Sequence, residues 1–231
     1  MIVKLDTTLY LIGGIDNRRE SDFLGIIAQA CAGGVTLFQL REKELSGREY
    51  YDLAVKVRAV TDRFDVPLII DDRVDIALAS GAAGVHLGAA DLPIRAARAV
   101  MGPDAIIGAT AKTVEQARTA ESAGADYLGV GAIYPTKTKV VTVLTPVSTL
   151  CDILKSVTIP AVAIGGLDAG NLDVLHGSGA HGIAVVRAIM DSPTPKETAA
   201  TLRQLTEMHI LSKEFHCASP ACGGENMRAG E

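Results

Sequence analysis

The sequence lacks the features that mark a membrane-spanning or secreted protein. Its longest stretch without a charged residue, Phe23 to Leu40, is 18 residues long and is interrupted by two glutamines and three glycines, whereas a membrane helix needs about 20 apolar residues. The four cysteines are widely separated, which does not resemble a small secreted domain and indicates a reducing compartment. The first residues are too acidic, and their apolar stretch too short, for a signal peptide. We therefore expect a cytoplasmic protein.

Charge and composition narrow the class further. The net charge of −5 and the isoelectric point near 5.6 disfavour a nucleic-acid partner, which usually demands a basic face. Hydrophobic residues make up 48% of the 231 residues, enough for a sizeable core without any tryptophan. This length is close to the roughly 250 residues of a single (β/α)8 barrel. The sequence is also compatible with a homo-oligomer.

Short β-rich segments alternate with longer segments of helical periodicity. The predicted strands are Leu9–Ile12, Thr36–Leu40, Pro67–Asp71, Gly84–Leu87, Ile106–Thr110, Tyr127–Gly131, Ala161–Ile164 and Gly182–Val185, and predicted helices include Glu49–Phe64, Pro93–Met101, Val114–Ser122 and Val147–Ser156. Strict alternation predicts a parallel sheet, and eight strands favour a closed TIM barrel over residues 1–213. The alternative is a doubly wound sheet, but no Gly-x-Gly-x-x-Gly follows the first strand.

The last residues, 214–231, lack any periodicity and are rich in small and charged side chains. We expect a mobile tail there. His216, Cys217 and Cys222 raise the alternative of a metal clip, although no second ligand pair has the spacing of a zinc site.

Polar residues follow the second predicted strand, where a TIM barrel carries its active site. Alternation places Gln39, Arg41 and Lys43 on one side if the extended conformation continues. Two cations beside an amide suit a diphosphate, since arginine binds bidentately and lysine acts as a point charge. The alternative is a solvated charged loop in which the cations pair with Glu42 and Glu44, and spacing alone does not decide between the two.

Carboxylates follow the third and fourth predicted strands. Asp71, Asp72 and Asp75 follow one strand, and Asp91 follows the next. Carboxylates on adjacent strand ends are ligands that Mg²⁺ prefers, completed by phosphate oxygens and waters. The alternative is helix capping, because Asp91 precedes Leu92 and Pro93, and Asp72 or Asp75 precedes a helix.

Two further loops carry features that suit anions. The segment after the sixth strand contains Thr136, Thr138 and Lys139 and is longer than most βα loops. Gly165 and Gly166 end the seventh strand, and Val186 and Arg187 follow the eighth. Loops after strands 7 and 8 form the recurrent phosphate site of TIM barrels.

Taken together and in this order, these motifs closely resemble those of thiamine phosphate synthases. The resemblance extends from Leu9 to about Leu211 and rests on four segments, Gln39–Lys43, Asp71–Asp75, Tyr134–Lys139 and Ala163–Gly166. It implies a transferase of thiamine biosynthesis that condenses hydroxymethylpyrimidine diphosphate with a thiazole phosphate. The products would be thiamine phosphate and pyrophosphate.

The resemblance also implies roles for individual residues. Asp72 and Asp91 would bind Mg²⁺, and Arg41, Lys43 and Lys139 would stabilise the leaving diphosphate. The residues implied on the pyrimidine diphosphate side are Gln39, Arg41, Lys43, Asp71, Thr110 and Lys139. Those implied on the thiazole phosphate side are Thr136, Thr138, Gly166, Val186 and Arg187.

Several positions depart from the family pattern. Asp71 stands where the family usually has Asn, Ala89 where Gln is common, and Arg187 where Ser is usual, while Val140 and Val141 make the long loop more apolar. Asp71 and Arg187 motivate the alternative of a non-catalytic ligand-binding homologue. A thiazole tautomerase-like isomerase is the other alternative, but it does not need the cations and carboxylates that suit a diphosphate.

Overall fold

The chain folds into a closed barrel of eight parallel strands in the order β1 to β8, which confirms the predicted TIM barrel. The computed structural model describes residues 5–136 and 143–211. Thr138, Lys139, Val140 and Val141 lie outside the described residues, as does the predicted tail 214–231.

The strands are short and almost entirely buried, as expected for a parallel sheet covered on its outer face. They are β1 Leu9–Gly13, β2 Leu37–Leu40, β3 Leu68–Asp71, β4 Gly84–Leu87, β5 Ile106–Ala111, β6 Tyr127–Gly131, β7 Ala161–Ile164 and β8 Ile183–Val185. Pairing of Leu9 with Ile183 closes the barrel between β1 and β8. The carboxyl ends of all eight strands therefore meet at one rim.

Helices surround the barrel. They are α1 Glu20–Ala32, α2 Gly47–Thr61, α3 Val74–Ser80, α4 Ile94–Met101, α5 Val114–Ser122, α6 Val147–Ser156, α7 Arg187–Met190 and α8 Pro195–Thr206. Helix α2 begins with a capping box. The Ser46 side chain accepts a hydrogen bond from the Glu49 N–H, and the Glu49 side chain accepts one from the Ser46 N–H. Pro195 occupies the first turn of α8, where its missing N–H costs no hydrogen bond.

The segment between β7 and β8 departs from the expected strict alternation of strands and helices. Residues 165–182 are all described, and their only regular element is a 3-10 helix at Leu172–Leu175. Gly177 and Gly179 have backbone φ angles of 67° and 81°. Glycine adopts this left-handed conformation readily, and the conformation ends a helix. The chain therefore returns from the end of β7 to the start of β8 without an α-helix.

Alternation along the strands divides the apolar residues into two cores. The outward side chains, such as Leu11, Phe38 and Ile70, pack beneath the helices. The inward side chains fill the barrel and include Tyr10, Tyr127, Leu37, Ile69, Ile106, Val162 and Ala184. The inner core plugs the barrel, so that a ligand has access only from the rim.

Within the described residues, no helix is both long enough and apolar enough to cross a membrane.

Candidate active site

A cavity of about 520 Å³ opens at the carboxyl ends of the strands, the face on which TIM barrels carry their active sites. Eight residues predicted from the sequence line it, namely Gln39, Arg41, Asp71, Thr110, Thr136, Gly166, Val186 and Arg187. Among the described residues, Lys43, Asp72 and Asp91 do not line the cavity. Lys43 nevertheless contacts Asp71, which does.

The two cations after β2 are held by the carboxylates after β3. Arg41 Nε lies 3.4 Å and Lys43 Nζ 2.7 Å from Asp71 Oδ2, and Lys43 also pairs with Asp72. Glu42 points elsewhere, since its Oε1 accepts a hydrogen bond of 2.6 Å from the Ile15 N–H. The ion pairs of Arg41 and Lys43 therefore join two strand ends, which disfavours the alternative of a solvated loop paired with its own glutamates.

Asp71 is unusual because it is a buried carboxylate, only 7% exposed. Burial raises its pKa, and contact with Lys43 offsets only part of the rise. Its Oδ2 is within ion-pair distance of both cations but has hydrogen-bond geometry with neither. Asp71 thus competes with any anionic ligand for the same two cations.

Asp72 and Asp91 form a second carboxylate group beside the cations. Burial and a hydrogen bond with Asp72 raise the pKa of Asp91. Burial has the same tendency at Asp72, but hydrogen bonds with Lys43 and Asp91 outweigh it and lower the pKa of Asp72. The two carboxylates of such a pair therefore differ in how readily they ionise, as expected when like charges share a site. Asp72 also has a left-handed backbone, with φ 60°, and residues held in this region cluster at functional sites.

The structure does not support helix capping as the role of these carboxylates. Helix α4 begins after Pro93 and α3 after Arg73, and neither has a side-chain cap hydrogen bond. Asp91 instead accepts a 2.7 Å bond from the Gly88 N–H. Its carboxylate is thereby turned back toward the rim.

The loops after β6 and β7 are packed together at the opposite side of the cavity. The Ile133 and Tyr134 N–H groups each donate 3.0 Å bonds, to the carbonyls of Ile164 and Gly165. Gly166 has φ 66°, and a Cβ there would lie 2.6 Å from Tyr134 Cβ and 2.8 Å from Pro135 O. Only glycine suits this position, so its backbone forms part of the cavity wall. Thr136 lines the same wall.

Arg187 begins α7 and lines the cavity next to Val186. Its Nε lies 3.0 Å from Asp191 Oδ2, and its side chain is 57% exposed. Arg18 also binds Asp191, at 2.6 Å. Arg187 is thus partly neutralised, and it lines the same cavity as Gly166.

A row of polar groups across the cavity floor is not predicted from the sequence. Gln39 Nε2 donates to the Tyr10 hydroxyl at 2.6 Å, and that hydroxyl lies 2.7 Å from the Tyr127 hydroxyl. His86 lies between Tyr127, at 3.1 Å, and Thr110, at 3.0 Å. The sequence favours a structural or surface role for His86, but the residue lines the cavity. Strand alternation could have indicated this position, because His86 pairs with Asp71 in the register of β3 and β4. Paired residues of neighbouring strands point to the same face of the sheet.

Comparison with known proteins gives a consistent result. The family model described as thiamine monophosphate synthase matches residues 9–189. Thiamine-phosphate synthase of Lacticaseibacillus paracasei is 49% identical over 198 residues, covering 86% of this chain and 93% of the relative. Thiamine-phosphate synthase 2 of Streptococcus pneumoniae is 50% identical, covering 85% and 94%. The solved thiamine phosphate pyrophosphorylase of Pyrococcus furiosus superposes with a TM-score of 0.78 at 37% identity, covering 87% and 96%.

Proposed function

Because the chain belongs to the thiamine monophosphate synthase family, a group of transferases, we propose that it joins hydroxymethylpyrimidine diphosphate to a thiazole phosphate. The products are thiamine phosphate and pyrophosphate. The observation that carries the proposal is the cluster of Arg41, Lys43 and Asp72 beside a cavity whose other wall contains Gly166. One side of the cavity suits a diphosphate and the other a second phosphate.

The diphosphate side supplies fixed positive charge. In the proposed reaction the bond between the pyrimidine CH₂ and the diphosphate oxygen breaks, and its electron pair leaves with pyrophosphate. An electron-rich aminopyrimidine tolerates positive character at that carbon, so the charge that needs stabilising is the negative charge of the leaving group. Arg41 and Lys43 are already held at the strand ends by Asp71, and preorganised charge of this kind provides much of the rate acceleration in many enzymes. Lys139 is proposed to add a third cation.

The residues present fit a Mg²⁺ ion. Asp72 and Asp91 are carboxylates close enough to share a hydrogen bond, and Mg²⁺ is bound through one or two carboxylates with substrate phosphates and waters. Among the described residues no group of three or more potential metal ligands occurs, which agrees with a site completed by substrate. When bound, the ion would supply further positive charge to the diphosphate oxygens.

The thiazole side supplies neutral hydrogen-bond donors and one cation. Gly165 and Gly166 allow close approach of a phosphate to the backbone, and Val186 and Arg187 lie on the adjacent loop. Thr136 and Thr138 are proposed to donate hydroxyl groups to the same phosphate. The thiazole nitrogen attacks the CH₂ group with its lone pair and has no proton to lose. No general base is therefore required in this mechanism.

The test is an assay of the purified full chain with both substrates and Mg²⁺, following thiamine phosphate and pyrophosphate together. We expect the two products in equal amounts and only when both substrates are present. Conversion of the thiazole alone would instead support the tautomerase alternative, and binding without product would support a non-catalytic homologue. Either outcome contradicts the proposal. The expected cytoplasmic location and homo-oligomer stay predictions.

A further inference from the structure

Five polar side chains form a continuous hydrogen-bonded relay beneath the cavity. The relay runs from Gln39 on β2 through Tyr10 on β1, Tyr127 on β6 and His86 on β4 to Thr110 on β5. Tyr10 and Tyr127 are at most 1% exposed and meet edge to face across the barrel. Only the outer members, Gln39, His86 and Thr110, reach the cavity wall.

Counting donors gives the relay a direction. The Gln39 Nε2 group only donates, so the Tyr10 oxygen receives that bond and directs its own proton to Tyr127. Tyr127 then donates to His86 Nδ1, and a neutral imidazole that accepts at Nδ1 donates from Nε2 to Thr110. The Thr110 proton is left for a ligand in the cavity. At the other end, Gln39 has its carbonyl oxygen available.

The two ends of the relay are therefore coupled. If the Gln39 amide flipped alone, its oxygen would take the place of the nitrogen that now donates to the Tyr10 hydroxyl. Every link, including the tautomer of His86, would have to reverse with it to keep the buried groups bonded, and an unsatisfied buried polar group is costly. The acceptor at Gln39 and the donor at Thr110 are consequently set together.

The surroundings of the relay support a stable arrangement of protons. Burial raises the pKa of both Tyr10 and Tyr127 far above the ordinary value, so both phenols keep the protons that the relay requires. A Cβ at Gly108 would collide with the Tyr127 hydroxyl and lie 2.5 Å from His86 Nδ1. The missing side chain at Gly108 leaves the space in which Tyr127 and His86 meet.

We propose that Tyr10, Tyr127 and His86 are positioning residues that hold Gln39 as an acceptor and Thr110 as a donor for one edge of a heteroaromatic ring. The matching edge carries an amino group next to a ring nitrogen. The amino group donates to Gln39, and the ring nitrogen accepts from Thr110. This inference rests on the proposed function, in which an aminopyrimidine diphosphate is one substrate. It makes ring recognition depend on Tyr10 and Tyr127, which do not line the cavity, as well as on the residues that do.

The experiment measures coupling between the ring amino group and a hydroxyl that lies outside the cavity. Dissociation constants are determined by calorimetry with Mg²⁺ and without thiazole phosphate, so that no condensation occurs. The ligands are the aminopyrimidine diphosphate, its analogue with hydrogen in place of the amino group, and pyrophosphate. The proteins are the wild type, Tyr127→Phe and Tyr50→Phe.

We expect loss of the amino group to weaken binding about 10- to 100-fold in the wild type, as for a lost hydrogen bond to a buried partner. In Tyr127→Phe the same change should weaken binding less than about 5-fold, because the broken relay no longer sets Gln39. Pyrophosphate lacks the ring, so its affinity should stay within about 2-fold. Tyr50→Phe is the matched control, since Tyr50 is 1% exposed and its hydroxyl lies outside the relay, 2.7 Å from the Leu40 carbonyl and 3.4 Å from the Asp71 carbonyl. It should retain the wild-type effect of the amino group.

An amino-group effect in Tyr127→Phe equal to that of the wild type overturns the inference. So does a parallel weakening of pyrophosphate, which indicates general damage to the site. If thermal melting shows that Tyr127→Phe does not fold, Tyr10→Phe interrupts the neighbouring link and gives the same test. A wild type that makes thiamine phosphate but shows no coupling contradicts only the relay, whereas a wild type that makes no product contradicts the proposed function.

Discussion

Arg41 and Lys43 share a carboxylate but differ in geometry. The planar guanidinium of Arg41 can bind two phosphate oxygens at once, whereas Lys43 presents a single point of charge. Both contact Asp71, whose pKa is raised by burial. An incoming diphosphate would replace that carboxylate as the partner of both cations. In the proposed reaction Asp71 would therefore keep the cations in position at the expense of some affinity for the diphosphate.

At this scale, Arg41→Ala is expected to lower turnover at least about 10-fold, the lower end of what loss of one preorganised charge costs. Lys43 retains its contacts with Asp71 and Asp72 in this variant, so the fold should persist. The measurement is the steady-state rate with both substrates and Mg²⁺. Arg19→Ala is the control, because Arg19 is 83% exposed and pairs with the nearby Asp22. Equal rates in the two variants would refute the role assigned to Arg41.

At the scale of secondary-structure elements, the cavity wall depends mainly on the contact between the loops that follow β6 and β7. Gly166 is required for two separate reasons, its left-handed backbone and the nearness of Tyr134 and Pro135. Gly102 separates these reasons, because its φ is 86° but nothing lies within 4 Å of the position that a Cβ would occupy. The chain thus contains a control for backbone strain alone.

We expect Gly166→Ala to raise the KM for the thiazole phosphate at least about 10-fold, because the added methyl group must push the β6 loop away from the cavity wall. A misplacement of about 1 Å can cost 100-fold in rate. Gly102→Ala also places a side chain at a positive φ, but without a close contact, and should change that KM less than about 2-fold. Steady-state kinetics with the thiazole phosphate varied measure both. A similar KM in the two variants would show that the loop contact is unimportant.

Element by element, the sequence predicted what depends on local pattern. The bounds of β4, β6 and β7 match the predicted Gly84–Leu87, Tyr127–Gly131 and Ala161–Ile164, because short β-rich runs between glycine or proline are distinctive. The expected alternation fails between β7 and β8, where Gly177 and Gly179 follow a short 3-10 helix instead of an α-helix. Local pattern also left helix capping open as an alternative to metal binding at Asp91, and the bond from the Gly88 N–H disfavours the cap.

Closure of the barrel explains why the contact between Tyr10 and Tyr127 could not be predicted from the sequence. Tyr10 and Tyr127 are 117 residues apart in the chain, yet their hydroxyls meet at 2.7 Å. Neither β1 nor β6 contains a motif that indicates this partner, because the contact arises only when β8 pairs with β1. The cations and carboxylates were predictable because they follow consecutive strands. The relay was not, because it crosses the barrel.

At the scale of the whole molecule, the net charge of −5 reflects an excess of carboxylates. One that lies outside the site, Glu121, connects helix α5 to the segment before β7. Glu121 is near the end of α5, and its Oε1 accepts bonds of 2.6 and 2.7 Å from the backbone and hydroxyl of Thr158, and of 3.2 Å from the Ile159 N–H. The backbone bond from Thr158, followed by its hydroxyl bond, lowers the pKa of Glu121. The ionised carboxylate thus anchors the approach to β7.

This lowered pKa makes the stability of the barrel depend on acid in a definite direction. The folded state binds the Glu121 proton less readily than the unfolded state does, so the contribution is fully present above the ordinary pKa of 4.5 and is lost as the pH falls through the lower folded value. Glu121→Gln keeps an oxygen acceptor but cannot ionise. Its melting temperature should therefore be below that of the wild type at pH 7, and the gap should close between about pH 5 and 3. Glu115→Gln, in the same helix, controls for a general loss of negative charge. A gap for Glu121→Gln that persists unchanged at about pH 3 would show that packing, rather than the carboxylate charge, holds α5 against the start of β7.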